Sequence, residues 1–213
     1  MQAGRFITLE GGEGVGKSTL AAGLKASLCA WGLDVLLTRE PGGTPGAELL
    51  RSAILSPPAE VGNWAPLTEA LLFYAARSDH LDKLIRPHLS KGGWVICDRF
   101  SDSTRAYQAA AGGVNHETVE ILERLCVGEW TPHLTLVLDL PLAVTRQRLG
   151  ARAEPRDAIE SRSPDYHAAV RHAFLDIAAG DPARCVVLDA SQPVGALLAN
   201  ALAAIDRRLG GVT

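Results

Sequence analysis

The sequence predicts a three-layer α/β/α fold built on a five-stranded parallel sheet, and two features carry that expectation. Five short, almost continuously apolar runs alternate with longer stretches of helical character. Strands apolar on both faces are what a parallel sheet covered by helices requires. A glycine-rich octapeptide also joins the first apolar run to the first helical stretch. At 213 residues and 47% hydrophobic content, the chain can bury one such core.

In order along the chain, residues 5–9 are the first run, and the Leu- and Ala-rich residues 20–30 fall in a helix expected at 17–31. The second run is 34–38. Residues 40–64 are rich in Pro and Gly and are expected to be an insertion over the sheet edge, mobile enough to close on a ligand. A helix is expected at 66–90, the third run is 94–98, and helices follow at 102–111 and 117–127. The fourth run, 134–139, precedes a helix at 142–149. Residues 150–163 are Arg-rich with little apolar content and are expected to form a mobile lid. A helix at 164–179, the fifth run at 185–189 and a helix at 194–209 complete the series. No repeat or low-complexity linker interrupts it, so one domain is expected over 1–213, with the lid inside it and residues 210–213 frayed. Ligands of such sheets bind at the carboxyl ends of the strands. Those ends are Glu10, Arg39-Glu40, Asp98-Arg99 and the start of the 141 region.

The octapeptide is Gly11-Gly12-Glu13-Gly14-Val15-Gly16-Lys17-Ser18, a full G-x-x-x-x-G-K-[ST] match in strand–loop–helix context. Its glycines let successive N–H groups point at one anion, and the helix N-terminus adds partial positive charge. Lys17 can reach the β- and γ-phosphates of a nucleotide, and Ser18 can hold Mg²⁺. Asp98 closes an apolar strand, the form of a second metal-side carboxylate, and Arg99 sets a cation beside it. Phe73 and Arg77 share a helix face, where a ring and a planar donor could stack on a base and read its edge; a core Phe beside a solvated Arg is the alternative. Thr104, Tyr107 and Gln108 also share a face at spacings of three and four, either as a polar site or as a solvated surface.

Composition limits what else the chain could do. Its net charge of −3, from 21 Lys+Arg against 24 Asp+Glu, argues against a polyanion-binding surface, so no nucleic-acid partner is expected. Basic residues do cluster between Arg146 and Arg162, so any basic site is expected to be local. The four cysteines, Cys29, Cys97, Cys126 and Cys185, form no CxxC and lie in apolar surroundings, which suggests buried free thiols and a reducing compartment. No run is long enough to span a membrane and the N-terminus has no apolar leader core, so a cytoplasmic protein is expected.

Together these segments resemble the bacterial thymidylate kinases. The stretch from Glu10 through the glycine loop to Thr19 is similar to the P-loop of that family. Thr38-Arg39-Glu40-Pro41-Gly42-Gly43-Thr44-Pro45, with Glu48 and Arg51, is similar to its second motif. Leu72-Phe73-Tyr74-Ala75-Ala76-Arg77 resembles its base-binding helix. Asp98-Arg99-Phe100-Ser101-Asp102-Ser103-Thr104-Arg105-Ala106-Tyr107-Gln108 resembles its D-R-[YF]-x-x-S-x-x-A-Y-Q signature. The match is dense over 5–108 and looser through the lid to Val187-Leu188-Asp189-Ala190-Ser191.

The resemblance implies a P-loop kinase fold with a mobile lid, transfer of the γ-phosphate of ATP to dTMP with Mg²⁺, and a homodimer. It implies Gly11, Gly14, Gly16, Lys17, Ser18, Thr19 and Arg148 around ATP, with Ser18 and Asp98 toward the metal. For dTMP it implies Phe73 stacked on thymine, Arg77 donating to O4, and Thr104 and Gln108 on the N3 side. Tyr107 would crowd the sugar C2′ position. Arg51 and Arg99 would bind the acceptor phosphate, Glu13 would lie near the sugar and that phosphate, and Glu40 would support the arginines. Lys17, Asp98 and Arg99 would be catalytic, together with a lid arginine.

Two departures from the family pattern stand out. Some members place an arginine in the P-loop, where this chain has Gly14. The lid motif D-R-x-E reads Asp157-Ala158-Ile159-Glu160 here, so its arginine is missing. Arg148, Arg152 and Arg156 remain as candidates, with Arg152 favoured. A deoxynucleoside kinase or another P-loop nucleoside monophosphate kinase is the nearest alternative. Two phosphate-binding arginines favour a monophosphate acceptor. The chain has no N-K-x-D or L-S-G-G-Q motif, which disfavours switch and transport ATPases, and intact Lys17, Ser18 and Asp98 disfavour an inactive binding module.

Overall fold

The computed structural model describes residues 4–150 and 157–210, without the side chains of 149 and 150. Its five strands are β1 (Arg5–Glu10), β2 (Val35–Arg39), β3 (Trp94–Asp98), β4 (Leu134–Asp139) and β5 (Cys185–Asp189). They form one all-parallel sheet in the order β2-β3-β1-β4-β5. All five expected runs are strands. In register, Leu9 of β1 and Arg39 of β2 both lie level with Asp98 of β3, so the loops after these strands open at one edge.

Strand side chains alternate between faces. On one face, Ile7 and Leu9 join Ile96, Leu136 and Leu138 under α1 (Lys17–Ala30) and α9 (Val194–Leu209), where Leu24, Leu28 and Ile205 are fully buried. Each such Leu or Ile contributes about 1.5–3 kcal/mol of burial. On the other face, Phe6 packs with Val95, Cys97 and Phe100. This face carries Thr8, whose hydroxyl lies 2.8 Å from that of Thr135, and Glu10. The polar residues on it are buried, and their hydrogen bonds link the sheet to the site-bearing helices.

The remaining helices are α2 (Pro45–Leu55), α3 (Pro66–His80), α4 (Arg86–Ser90), α5 (Ser101–Thr104), α6 (His116–Cys126), α7 (Leu142–Gly150) and α8 (Pro164–Gly180), of which α2, α3 and α5 carry site residues. Two differences from the sequence expectation matter. Within the 40–64 segment, where no helix was expected, α2 occupies the centre. Thr44 caps that helix by accepting from the Ala47 N–H at 3.2 Å, and Pro45 stands at its first position. The stretches expected as single helices at 66–90 and 102–111 each contain π-helical backbone, at Leu81–Ile85 and Arg105–Ala110. Among the described residues no helix is long and apolar enough to cross a membrane. All four cysteines are free, but only Cys97 and Cys185 are buried; Cys29 is exposed and Cys126 half-buried.

Candidate active site

The loop after β1 is shaped by close approach. A Cβ on Gly11, at φ 134°, would stand 2.5 Å from the Leu138 carbonyl oxygen of β4, so only glycine fits. Gly16, at φ 98°, turns the chain into α1. The Lys17 ammonium folds back over the loop and donates to the carbonyls of Gly12 at 2.7 Å and Gly11 at 3.2 Å. Burial and then the neighbouring Arg99 bring its pKa down to about 8, against the pull of Glu13 and Asp98. One residue on, the Ser18 hydroxyl donates to Asp98 Oδ2 at 2.8 Å. A hydroxyl and a carboxylate side by side form an oxygen set that suits a hard divalent cation such as Mg²⁺.

Arg99 follows Asp98 with φ 70°, the left-handed region, and is the one non-glycine residue there among the described residues. Such a backbone persists only when its surroundings hold it. Glu10 provides that hold. Its Oε1 accepts from the Phe100 N–H at 2.7 Å and the Ser103 N–H at 3.3 Å, and its Oε2 accepts from the Ser103 hydroxyl at 2.6 Å. The carboxyl is fully buried, and burial with nearby Asp102 raises its pKa to about 8, opposed by those donors and Arg99. The turn sends the Arg99 guanidinium across the Tyr107 ring, 4.9 Å from its centroid, to Gly11 O at 3.0 Å and Glu13 Oε1 at 2.6 Å. Tyr107 donates to the same Glu13 oxygen at 3.0 Å. Burial would raise the Glu13 pKa, but Arg99 and Lys17 outweigh it and hold the carboxyl at about 2.

Behind this cluster lies a buried network. Arg77 donates from Nε to Glu40 Oε2 at 2.7 Å, from Nη1 to the Thr104 hydroxyl at 3.1 Å and from Nη2 to the Phe100 carbonyl at 3.0 Å. The other Glu40 oxygen lies 3.0 Å from His80 Nδ1, and His80 Nε2 lies 2.7 Å from the Thr38 hydroxyl. Gly43 is required beside it, since a Cβ there would stand 2.5 Å from His80 Nε2. Arg51, on α2, donates to the Pro41 carbonyl at 2.8 Å.

A cavity of about 390 Å³ runs through these groups. Lys17, Ser18, Thr19 and Asp98 lie on its wall, as do Glu13, Gly14, Gly16, Glu40, Arg51, Arg99, Phe73, Thr104, Tyr107 and Gln108. Three expected residues stand off it. The one carbonyl oxygen of Gly11 accepts from both Lys17 and Arg99, Arg77 backs the cavity through Thr104, and exposed Arg148 reaches the Ala190 carbonyl at 3.3 Å beyond β5. Arg152 and Arg156 lie outside the described residues. The end of the expected lid is folded against the protein. Asp157 caps a turn through the N–H groups of Ile159 and Glu160, the Ala158 N–H donates to Leu55 O at 3.1 Å, and Ile159 is buried.

Several site residues escaped sequence reading. Glu10 and Ser103 hold the Arg99 turn, His80 braces Glu40, and Leu55, Asp157, Ile159 and Glu160 complete the wall. Glu10 and Ser103 lie inside quoted motifs. For His80, its place three residues after Arg77 on the same helix was the only available signal. A second cavity of about 440 Å³ lies between the glycine loop, the end of β4 and α8, over the bidentate Arg171–Asp139 pair.

Comparison with known proteins agrees with this geometry. A family model described as thymidylate kinase matches residues 9–200. The thymidylate kinase of Caulobacter vibrioides is 46% identical over 210 residues, covering 99% of this chain and 100% of that protein. The thymidylate kinase of Rhodopseudomonas palustris strain BisB18 is 46% identical, covering 97% of this chain and 90% of its own. The crystal structure of the thymidylate kinase from Ehrlichia chaffeensis superposes with a TM-score of 0.75 at 29% identity, covering 95% of this chain and 99% of that one.

Proposed function

The chain belongs to the thymidylate kinase family, whose members phosphorylate dTMP to dTDP with ATP, and from that premise we propose how its residues divide the work. One observation carries the assignment. A single cavity is lined by Lys17, Ser18 and Asp98, by Arg51 and Arg99, and by Phe73 and Gln108. The phosphate-binding loop, with Lys17 and Thr19, takes ATP at one end. The aromatic and amide end takes the base of dTMP: Phe73 stacks, Thr104, backed by Arg77, faces O4 and Gln108 faces N3. Tyr107 fills the space beside C2′, and Arg51 and Arg99 receive the acceptor phosphate.

In-line transfer requires two polyanions to meet, so catalysis is largely positioning and charge neutralisation. Glu13 fixes Arg99, and Glu10 fixes the backbone that aims it. Lys17 exchanges its carbonyl partners for phosphate oxygens. Ser18 and Asp98 would hold Mg²⁺, which neutralises charge on the phosphates when bound. Residues 150–163 form the lid of a single domain over 1–213, and Arg152 supplies the bridging cation that Gly14 and Ala158 do not. The exposed pairs Leu67 and Leu71 on α3 and Ile121 and Leu125 on α6 make neighbouring apolar faces suited to a homodimer. The free thiols fit a cytoplasmic setting.

The test is a coupled ADP-release assay with dTMP, dCMP, dAMP, dGMP and thymidine as acceptors. Preference for dTMP is expected. Use of thymidine in place of dTMP would support a deoxynucleoside kinase, and equal use of dCMP would overturn the base-site assignment.

A further inference from the structure

The base end of the cavity contains an amide whose orientation is set from behind. Gln108 Nε2 donates to Glu69 Oε1 at 2.9 Å, and both side chains are buried. A carboxylate has no proton to give, so the amide nitrogen must face it. The Gln108 carbonyl oxygen is then turned away from Glu69, and among the described residues it accepts no hydrogen bond, although Gln108 lines the cavity. Glu69 is itself held. Its second oxygen forms a close ion pair with Arg162, whose Nη1 donates to the Tyr166 hydroxyl at 2.6 Å; that hydroxyl donates to the Tyr107 carbonyl at 2.7 Å.

We propose that Glu69 is a specificity-determining positioning residue, which orients the Gln108 amide so that the site presents an acceptor to the N3 edge of the base. The inference rests on the assignment of dTMP to this cavity. A fixed acceptor matches the N3–H of thymine or uracil and opposes the bare N3 of cytosine. The Thr104 hydroxyl, which accepts from Arg77 and so keeps its own proton to give, offers a donor toward O4; the site then reads a donor and an acceptor in sequence, and each half excludes the cytosine pattern. A hydrogen-bonding site discriminates in this way because the wrong base leaves buried groups unpaired.

The test compares kcat/KM for dTMP and dCMP in wild type, Glu69→Gln and Glu69→Asp, and in Gln108→Ala with and without Glu69→Gln. In Glu69→Gln an amide replaces the carboxylate and either Gln108 orientation is satisfied. In Glu69→Asp the charge stays but withdraws by one methylene, which keeps the test available if the first variant does not fold. Either change is expected to lower the dTMP-to-dCMP ratio roughly tenfold, with ATP KM unchanged. In the Gln108→Ala background, Glu69→Gln should lower the ratio no further, because the effect travels through that amide. A selective wild type whose folded Glu69 variants keep its ratio would overturn this inference alone, as would a full effect in the Gln108→Ala background. A wild type that uses dCMP as readily as dTMP would overturn the base assignment and this inference with it.

Discussion

Arg77→Met is expected to cost stability as well as dTMP affinity. The guanidinium and the Glu40 carboxylate are almost wholly buried, at 1% and 3% side-chain exposure, and meet at 2.7 Å. Removing one ion of such a pair leaves the other uncompensated, a loss of about 3–5 kcal/mol. For a chain of this size each kcal/mol moves Tm by about 2–4 °C, so the variant should melt roughly 6–20 °C below wild type. Arg77→Met/Glu40→Leu removes both charges and should recover most of that loss, since paired removal of buried ions is often near neutral. It should stay about 1–3 kcal/mol short, because the Phe100 carbonyl and His80 Nδ1 lose their partners. Circular-dichroism melts and urea titrations measure the difference, and both variants should show raised dTMP KM. If the single and double variants melt together, Glu40 is not left as a buried unpaired charge and the reasoning fails.

Other outcomes follow from the same geometry. Lys17→Ala should lower kcat on the order of 10²-fold or more with an unchanged melt; near-normal turnover would remove Lys17 from catalysis. With the Lys17 pKa at about 8, kcat/KM for ATP should fall as pH rises through that value and the ammonium is lost. Glu13→Gln removes an anion that raises that pKa, so the falling limb should move to lower pH; an unmoved limb would uncouple the two groups. Tyr107→Phe should keep discrimination against ribonucleotides and Tyr107→Ala should lose part of it, because the exclusion is by ring volume. Equal ribo/deoxy ratios in wild type and the Ala variant would count against this role. Among Arg148→Ala, Arg152→Ala and Arg156→Ala, one, expected to be Arg152, should lower kcat sharply with little change in dTMP KM, the pattern of a transition-state contact. Wild-type kcat in all three would place the bridging charge elsewhere.

The legible part of the molecule was the local part. The phosphate loop, Asp98-Arg99, and the Thr104, Tyr107 and Gln108 face lie within short windows whose spacing implies a shared direction, and they do line one cavity. The three central strands were legible because both faces of each are covered; β2 and β5, at the sheet edges, still read as apolar runs although Val187 is exposed. α2 was missed because the Pro and Gly around it weigh toward loop, although Thr44-Pro45 is a helix-start signal. Glu10 was visible as a strand end, but its task depends on which face it points to and on what stands above it. Pairs such as Arg162–Glu69 and Arg184–Asp102 join residues 93 and 82 positions apart, which no window of a single sequence can connect.

The π-helical stretch at Arg105–Ala110 makes the length of this segment as important as its letters. A π turn arises where a helix carries an extra residue within its hydrogen-bond ladder, here visible as the Ala111 N–H reaching back five positions to the Ala106 carbonyl at 3.1 Å. Shortening the stretch by one residue would let the ladder revert to ordinary α-helical spacing. Side chains beyond the turn would keep nearly their present direction, because the wide turn absorbs the extra residue, and those inside it would be displaced. Tyr107 and Gln108 stand within that turn, so point substitutions alter one contact each, whereas a single-codon deletion would reset both at once. Lineages that diverge in base preference should therefore vary the residues of this segment while keeping its length.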